Sequence, residues 1–163
     1  MLDLLRRIAK KIITVVKKLH TVKSIIITGQ NRKVIYLSHI YGGRNHDYSI
    51  MKSEFDMDKQ WFVDVTVRAD LGFLGLVNDY GFKSDLRLPN KKPRKSKNNL
   101  SPELTKQQKI ENRAHAQRRI FVEHSIGGMK HFHCLTHRIR SQSSVIMDQF
   151  FGLAAGLWNF NIS

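Results

Sequence analysis

Residues 2 to 19 place Leu5, Ala9, Ile12, Val16 and Leu19 at helical spacing, with Arg6, Arg7, Lys10, Lys17 and Lys18 mostly off that stripe. The spacing predicts a basic amphipathic helix, suited either to a membrane surface or to a solvated face. The period then changes. VKSIIIT (22–28) and KVIYLS (33–38) are short β-branched runs around a glycine-containing turn, and they predict an antiparallel hairpin. HIYGGRNHDYSIMKSEF begins as a loop at Gly42–Gly43 and passes into a helix with Asp47 as its N-cap. QWFVDVTVRAD (60–70) predicts a strand that ends on Asp70, and the glycine-rich LGFLGLVNDYGF predicts a turn and a short helix.

A long helix follows. Ser101 is placed to cap it, Pro102 to take its first position, and Gly127–Gly128 to end it near Ile126. Ala116, Ile120 and Glu123 share one face of that helix, with Arg118 and Arg119 at its sides. That stripe predicts that Glu123 points toward packed structure and away from solvent. A last helix over roughly 143–160 supplies more core. The order of hairpin, helix, strand, loop and two helices predicts a small mixed sheet with helices packed on it, of the α/β or α+β kind, with no internal repeat.

Charge changes the picture more than composition does. The 163-residue chain, long enough for one domain with a real core, carries a formal net charge of +15. An excess of that size speaks of partners, with nucleic acid first and a membrane surface or an acidic protein as competitors. LPNKKPRKSKNNLSP (88–102) holds five cationic residues and no acidic one, with three prolines and three asparagines. It predicts an extended basic loop that contacts phosphates or merely solubilises.

Cys134 is the single cysteine, which excludes an intrachain disulfide and points to a reduced, intracellular protein. The start lacks the cleavage pattern of a signal peptide. The apolar stretch at 145–160 is interrupted by Asp148 and Gln149, too short and polar for a membrane span.

Two carboxylates stand out. Asp70 at a strand end and Glu123 on a helix are residue types that a Mg²⁺ or Mn²⁺ site for phosphoryl transfer needs, because hard cations prefer oxygen ligands. The competing reading is a Glu123 salt bridge to Arg119 or Arg113. His131, His133, Cys134 and His137 are zinc-type ligands, but no second pair stands at finger spacing. Histidines interleaved with Arg138 and Arg140 are the simpler reading. No P-loop, dinucleotide-binding glycine pattern, GxSxG or HExxH occurs.

GRNHDYSIMKSE (43–54), VRADLGFLGL (67–76), the 88–132 stretch containing RRIFVEHSIGGMKHF, and the closing FGLAAGLWNF together resemble the catalytic domain of DDE transposases. The likeness is greatest to bacterial insertion-sequence enzymes of the IS5 type and to DDE superfamily endonucleases, and covers residues 18–160. It implies a ribonuclease-H-like α/β fold and an Asp-Asp-Glu triad binding two Mg²⁺ (or Mn²⁺) ions. It further implies metal-dependent DNA cleavage and strand transfer on element ends and target DNA, in the bacterial cytoplasm near the nucleoid, without membrane attachment and with a homodimer on DNA as a candidate assembly.

By this resemblance Asp70 matches the second catalytic aspartate and Glu123 the glutamate, both as metal ligands. His46 and Asp47 match a positioning pair. Lys91, Lys92, Arg94, Lys95, Lys97, Asn112, Arg113, Arg119 and Lys130 match DNA-contacting positions.

The front departs from the pattern. Residues 1–17 match nothing that should precede LHTVKSIII, and Asp3 is the only candidate there for the first aspartate. The expectation is therefore a domain over 18–163 that is incomplete at its first strand, in a truncated or frame-shifted and inactive copy. A non-catalytic basic DNA-binding protein is the alternative.

Overall fold

The computed structural model describes residues 7–14 (as backbone), 21–59, 61–62, 65–80, 86–97, 100–137, 139–141 and 143–163. Its elements are β1 (Arg7–Thr14), β2 (Val22–Thr28), β3 (Val34–Leu37), β4 (Tyr41–Gly42) and α1 (Asp47–Glu54). Then come β5 (Thr66–Arg68), a 3-10 turn (Leu71–Phe73), α2 (Leu76–Asp79), β6 (Leu86–Arg87), α3 (Lys106–His131) and α4 (Ser144–Asn161). The sheet order is β3-β2-β1-β5-β6, with the short β4 also on β2. β1, β2 and β3 run antiparallel in turn, whereas β1, β5 and β6 are parallel. This is a mixed α/β sheet of the ribonuclease-H-like kind.

Residues 7–14 form the central strand, not the amphipathic helix that their spacing predicts. Helical periodicity there is outweighed by pairing on both sides. Ala9 to Thr14 oppose Thr28 to Lys23 of β2, and Arg7 to Ala9 run beside Thr66 to Arg68 of β5. The β-branched Ile12, Ile13 and Thr14 suit such a position. Residues 7–14 are the first strand of the sheet in chain order.

β2 is buried on both faces from Ser24 to Thr28, as a strand between two helical layers must be. Ile25 and Ile27 enter one core with Ile50 and Met51 of α1, Phe55, Phe62, Phe73 and Leu76. Ile26 enters the other with Val122, Ile126 and Met129 of α3 and Phe151 and Ala154 of α4.

α3 differs from expectation at both ends and in its orientation. Thr105, not Ser101, is the N-cap: its hydroxyl accepts from Gln108 N at 3.2 Å and Gln108 Oε1 accepts from Thr105 N at 3.0 Å. This reciprocal pair satisfies two otherwise orphaned donors. The helix runs straight through Gly127–Gly128, and a Cβ on Gly128 would overlap the Trp158 ring of α4. Gly128 thus serves close helix packing. Ala116, Ile120 and Glu123 lie on the exposed side, and the buried positions are Val122, Ser125, Ile126 and Met129. In α1 the cap is His46, whose Nδ1 accepts from Tyr48 N at 3.3 Å, and Asp47 opens the first turn.

α4 closes the edge of the sheet. Asn159 Oδ1 accepts from Val34 N at 2.7 Å and its Nδ2 donates to Val34 O at 2.8 Å. Asp148 accepts from Ile40 N at 2.7 Å. An edge strand exposes such backbone groups as templates for other chains, and here one asparagine side chain stands in for a neighbouring strand. Asn159→Ala is expected to lower unfolding free energy by about 2 kcal/mol, the loss of two hydrogen bonds with part-buried partners. A urea midpoint unchanged by the substitution would refute that role. Among the described residues, no helix is long and apolar enough to cross a membrane.

Candidate active site

Val67 and Ala69 are buried in the α1-side core. Strand alternation therefore turns Arg68 and Asp70 to the opposite face, where α3 lies. Asp70 opens the 3-10 turn, with its carbonyl accepting from Phe73 N at 3.0 Å. That turn is clamped from α1. A Cβ on Gly75 would overlap the Tyr48 ring, and Tyr48 Oη donates to Asp79 at 2.7 Å. Lys52 also reaches Asp79, at 2.6 Å, and holds its carboxyl below the usual range together with the Tyr48 hydroxyl. Asp47 accepts from Lys23 Nζ at 3.0 Å and its Oδ2 lies 3.9 Å from the place of a Cβ on Gly72. His46 and Asp47 thus begin the helix that braces the turn after Asp70.

α3 meets the sheet through polar side chains at helical spacing. Asn112 accepts from Asn90 N at 2.7 Å and donates to Asn90 O at 3.0 Å. His115 Nε2 stands 3.1 Å from Arg87 O, and burial pushes its pKa down. Arg119 follows one turn later, its Nη1 in direct contact with Asp70 Oδ1 and its Nη2 3.7 Å from Glu123 Oε1. The two predicted carboxylates are therefore brought together, with one guanidinium between them. The Asp70 side chain is 35% exposed and that of Glu123 45%, so the pair opens to solvent.

Among the described residues, the third carboxylate of a triad has no counterpart beside this pair. β1 runs parallel to β5 with Ala9 in register with Arg68, two residues before Asp70, and the β1 sequence RIAKKIIT contains no acidic residue. Asp3 lies outside the described residues. Among the described residues, no group of three His, Cys, Asp or Glu side chains could hold a metal ion. Two carboxylates sharing a fixed cation do not fit the two-ion set implied for an intact site.

The basic loop leaves β6 next to this pair. Asn90 fastens it to α3 at Asn112, seven residues before Arg119, or about 10 Å along the helix at 1.5 Å per residue. Lys91, Lys92, Arg94, Lys95 and Lys97 are all exposed. Arg113 is exposed as well, and Lys130 is half-buried. In the histidine-rich stretch, His133 stacks on His137 with centroids 5.3 Å apart, in a turn that gives His133 a positive φ. Arg138 is outside the described residues.

Sequence reading missed Asn90 and His115 as α3 anchors, and Tyr48 as the brace. Asn90 inside a lysine-rich run carried no apolar signal, and His115 has none either.

The family described as DDE superfamily endonuclease matches residues 13–159, most of the chain. No curated protein and no solved structure matches it.

Proposed function

The chain belongs to the DDE superfamily endonucleases, and from that membership we propose that it is a transposase catalytic domain, of the insertion-sequence kind, that binds DNA without cutting it. The observation that carries the reading is the meeting of Asp70 and Glu123 at the mouth of the sheet, about two helical turns from the anchored basic loop. Phosphates would be drawn to the exposed cations of residues 91–97 and to Arg113, which line the approach to the carboxylates. Lys130 lies further along the same helix.

Strand cleavage requires the developing charge on attacking and leaving oxygens to be balanced by ions held on several carboxylates. The first-strand segment RIAKKIIT holds no acidic residue to serve as a further anion. Loss of cleavage with retention of DNA binding follows from the lack of that carboxylate.

The test is a gel-shift and plasmid-nicking assay on the purified chain in Mg²⁺ and in Mn²⁺. The expected result is salt-sensitive DNA retention without nicked product, with Glu123→Gln leaving retention unchanged or stronger. Nicking that Glu123→Gln abolishes would overturn the defective reading. Absence of DNA retention at low salt would overturn the DNA-binding one.

A further inference from the structure

We infer that Arg119 is a built-in counter-ion that occupies the cation position between Asp70 and Glu123 and excludes divalent metal from it. The inference rests on the reading above only for the identity of the carboxylate pair. Its own support is geometric. The Arg119 fork touches Asp70 with one terminal nitrogen and lies 3.7 Å from Glu123 with the other. Its side chain is only 23% exposed, and its Nε is buried without a hydrogen-bond partner among the described residues.

An arginine draws a buried donor out of water at a real cost. That cost is met here by two carboxylates on one planar group, the geometry at which arginine exceeds lysine.

The helix that carries the guanidinium is held on both sides of it. Asn112 and His115 pin α3 to the loop and to β6 on one side of Arg119, while Val122, Ile126 and Met129 pack it into the core on the other. A divalent ion seeking the same oxygens would have to break the ion pair and then sit against the displaced cation. Glu123 is also kept near Arg119 by their i,i+4 spacing on one helix.

Mn²⁺ binding to the full chain, followed by electron paramagnetic resonance, tests this. The native chain is expected to show no Asp70-dependent Mn²⁺ site up to about 1 mM, a weak-binding threshold. Arg119→Gln is expected to gain a site at least about tenfold tighter, some 1.4 kcal/mol, and the Arg119→Gln/Asp70→Asn double variant to lose it again. A native site that Asp70→Asn abolishes would overturn the inference, whether or not the arginine variant folds. A folded Arg119→Gln chain, verified by its melting transition, that gains no such site would overturn it too. DNA retention by the native chain, measured alongside, reports on the proposed function, so the two fail separately.

Discussion

Gly128→Ala is expected to destabilise the chain by about 1–3 kcal/mol, the range for overpacking a close contact, whereas Gly127→Ala, one residue earlier, is expected to stabilise it by up to about 1 kcal/mol. The two glycines share a helix interior and a sequence signature but not an environment. Nothing lies within 4 Å of the place a Cβ would take on Gly127, so alanine there only removes the conformational freedom of the unfolded glycine. On Gly128 the same atom would overlap the Trp158 ring. That ring cannot swing aside freely, because its Nε1 donates to Arg32 O at 2.9 Å across the β2–β3 turn. Urea unfolding midpoints of the two variants, measured side by side, check the opposite signs; a stabilised Gly128→Ala would show that α3 and α4 do not cross as closely as described.

Replacing Lys91, Lys92, Arg94, Lys95 and Lys97 by glutamine is expected to flatten the salt dependence of DNA binding. Each cation that neutralises a phosphate contributes about 0.9 to the slope of log affinity against log salt, so five contribute about 4.5. Between 50 and 200 mM salt that slope alone accounts for a loss of about 500-fold in the native chain, which the glutamine variant would not show. The loop suits this because all five side chains are exposed and its base is tied to α3 through Asn90 and Asn112. An unchanged slope would place the DNA elsewhere on the surface. The chain's net charge of +15 leaves other cationic faces for that outcome.

The hairpin and the closing helix were legible because their signals are local. Ile25 to Ile27 and Val34 to Leu37 are β-branched or aromatic enough to be strands anywhere, and Ser143 caps α4, its hydroxyl 3.5 Å from Ile146 N. β1 was not legible: RIAKKIIT becomes a strand only because β2 and β5 offer pairing edges on both sides, and periodicity carries no record of such partners. The orientation of α3 was misread for a different reason. An apolar stripe predicts the packed face only where packing is apolar, and the upper half of α3 docks through Asn112, His115 and Arg119. Asp70 was found at the strand end by its motif, and Arg119 was weighed as one partner for Glu123 or as a DNA contact. That it reaches both carboxylates is a property of the crossing between β5 and α3, which no spacing in one segment encodes.

Asn159 and Val34 are 125 residues apart in sequence, and Trp158 and Arg32 are 126 apart. Synthesis at about 5–20 residues per second separates the emergence of such partners by about 6–25 s. Through that interval the hairpin stands with β3 unguarded, and its bare backbone invites pairing with any neighbouring nascent chain. The last turns of α4 are thus what covers that backbone, and a chain that lacks them is expected to self-associate, a result sedimentation would check.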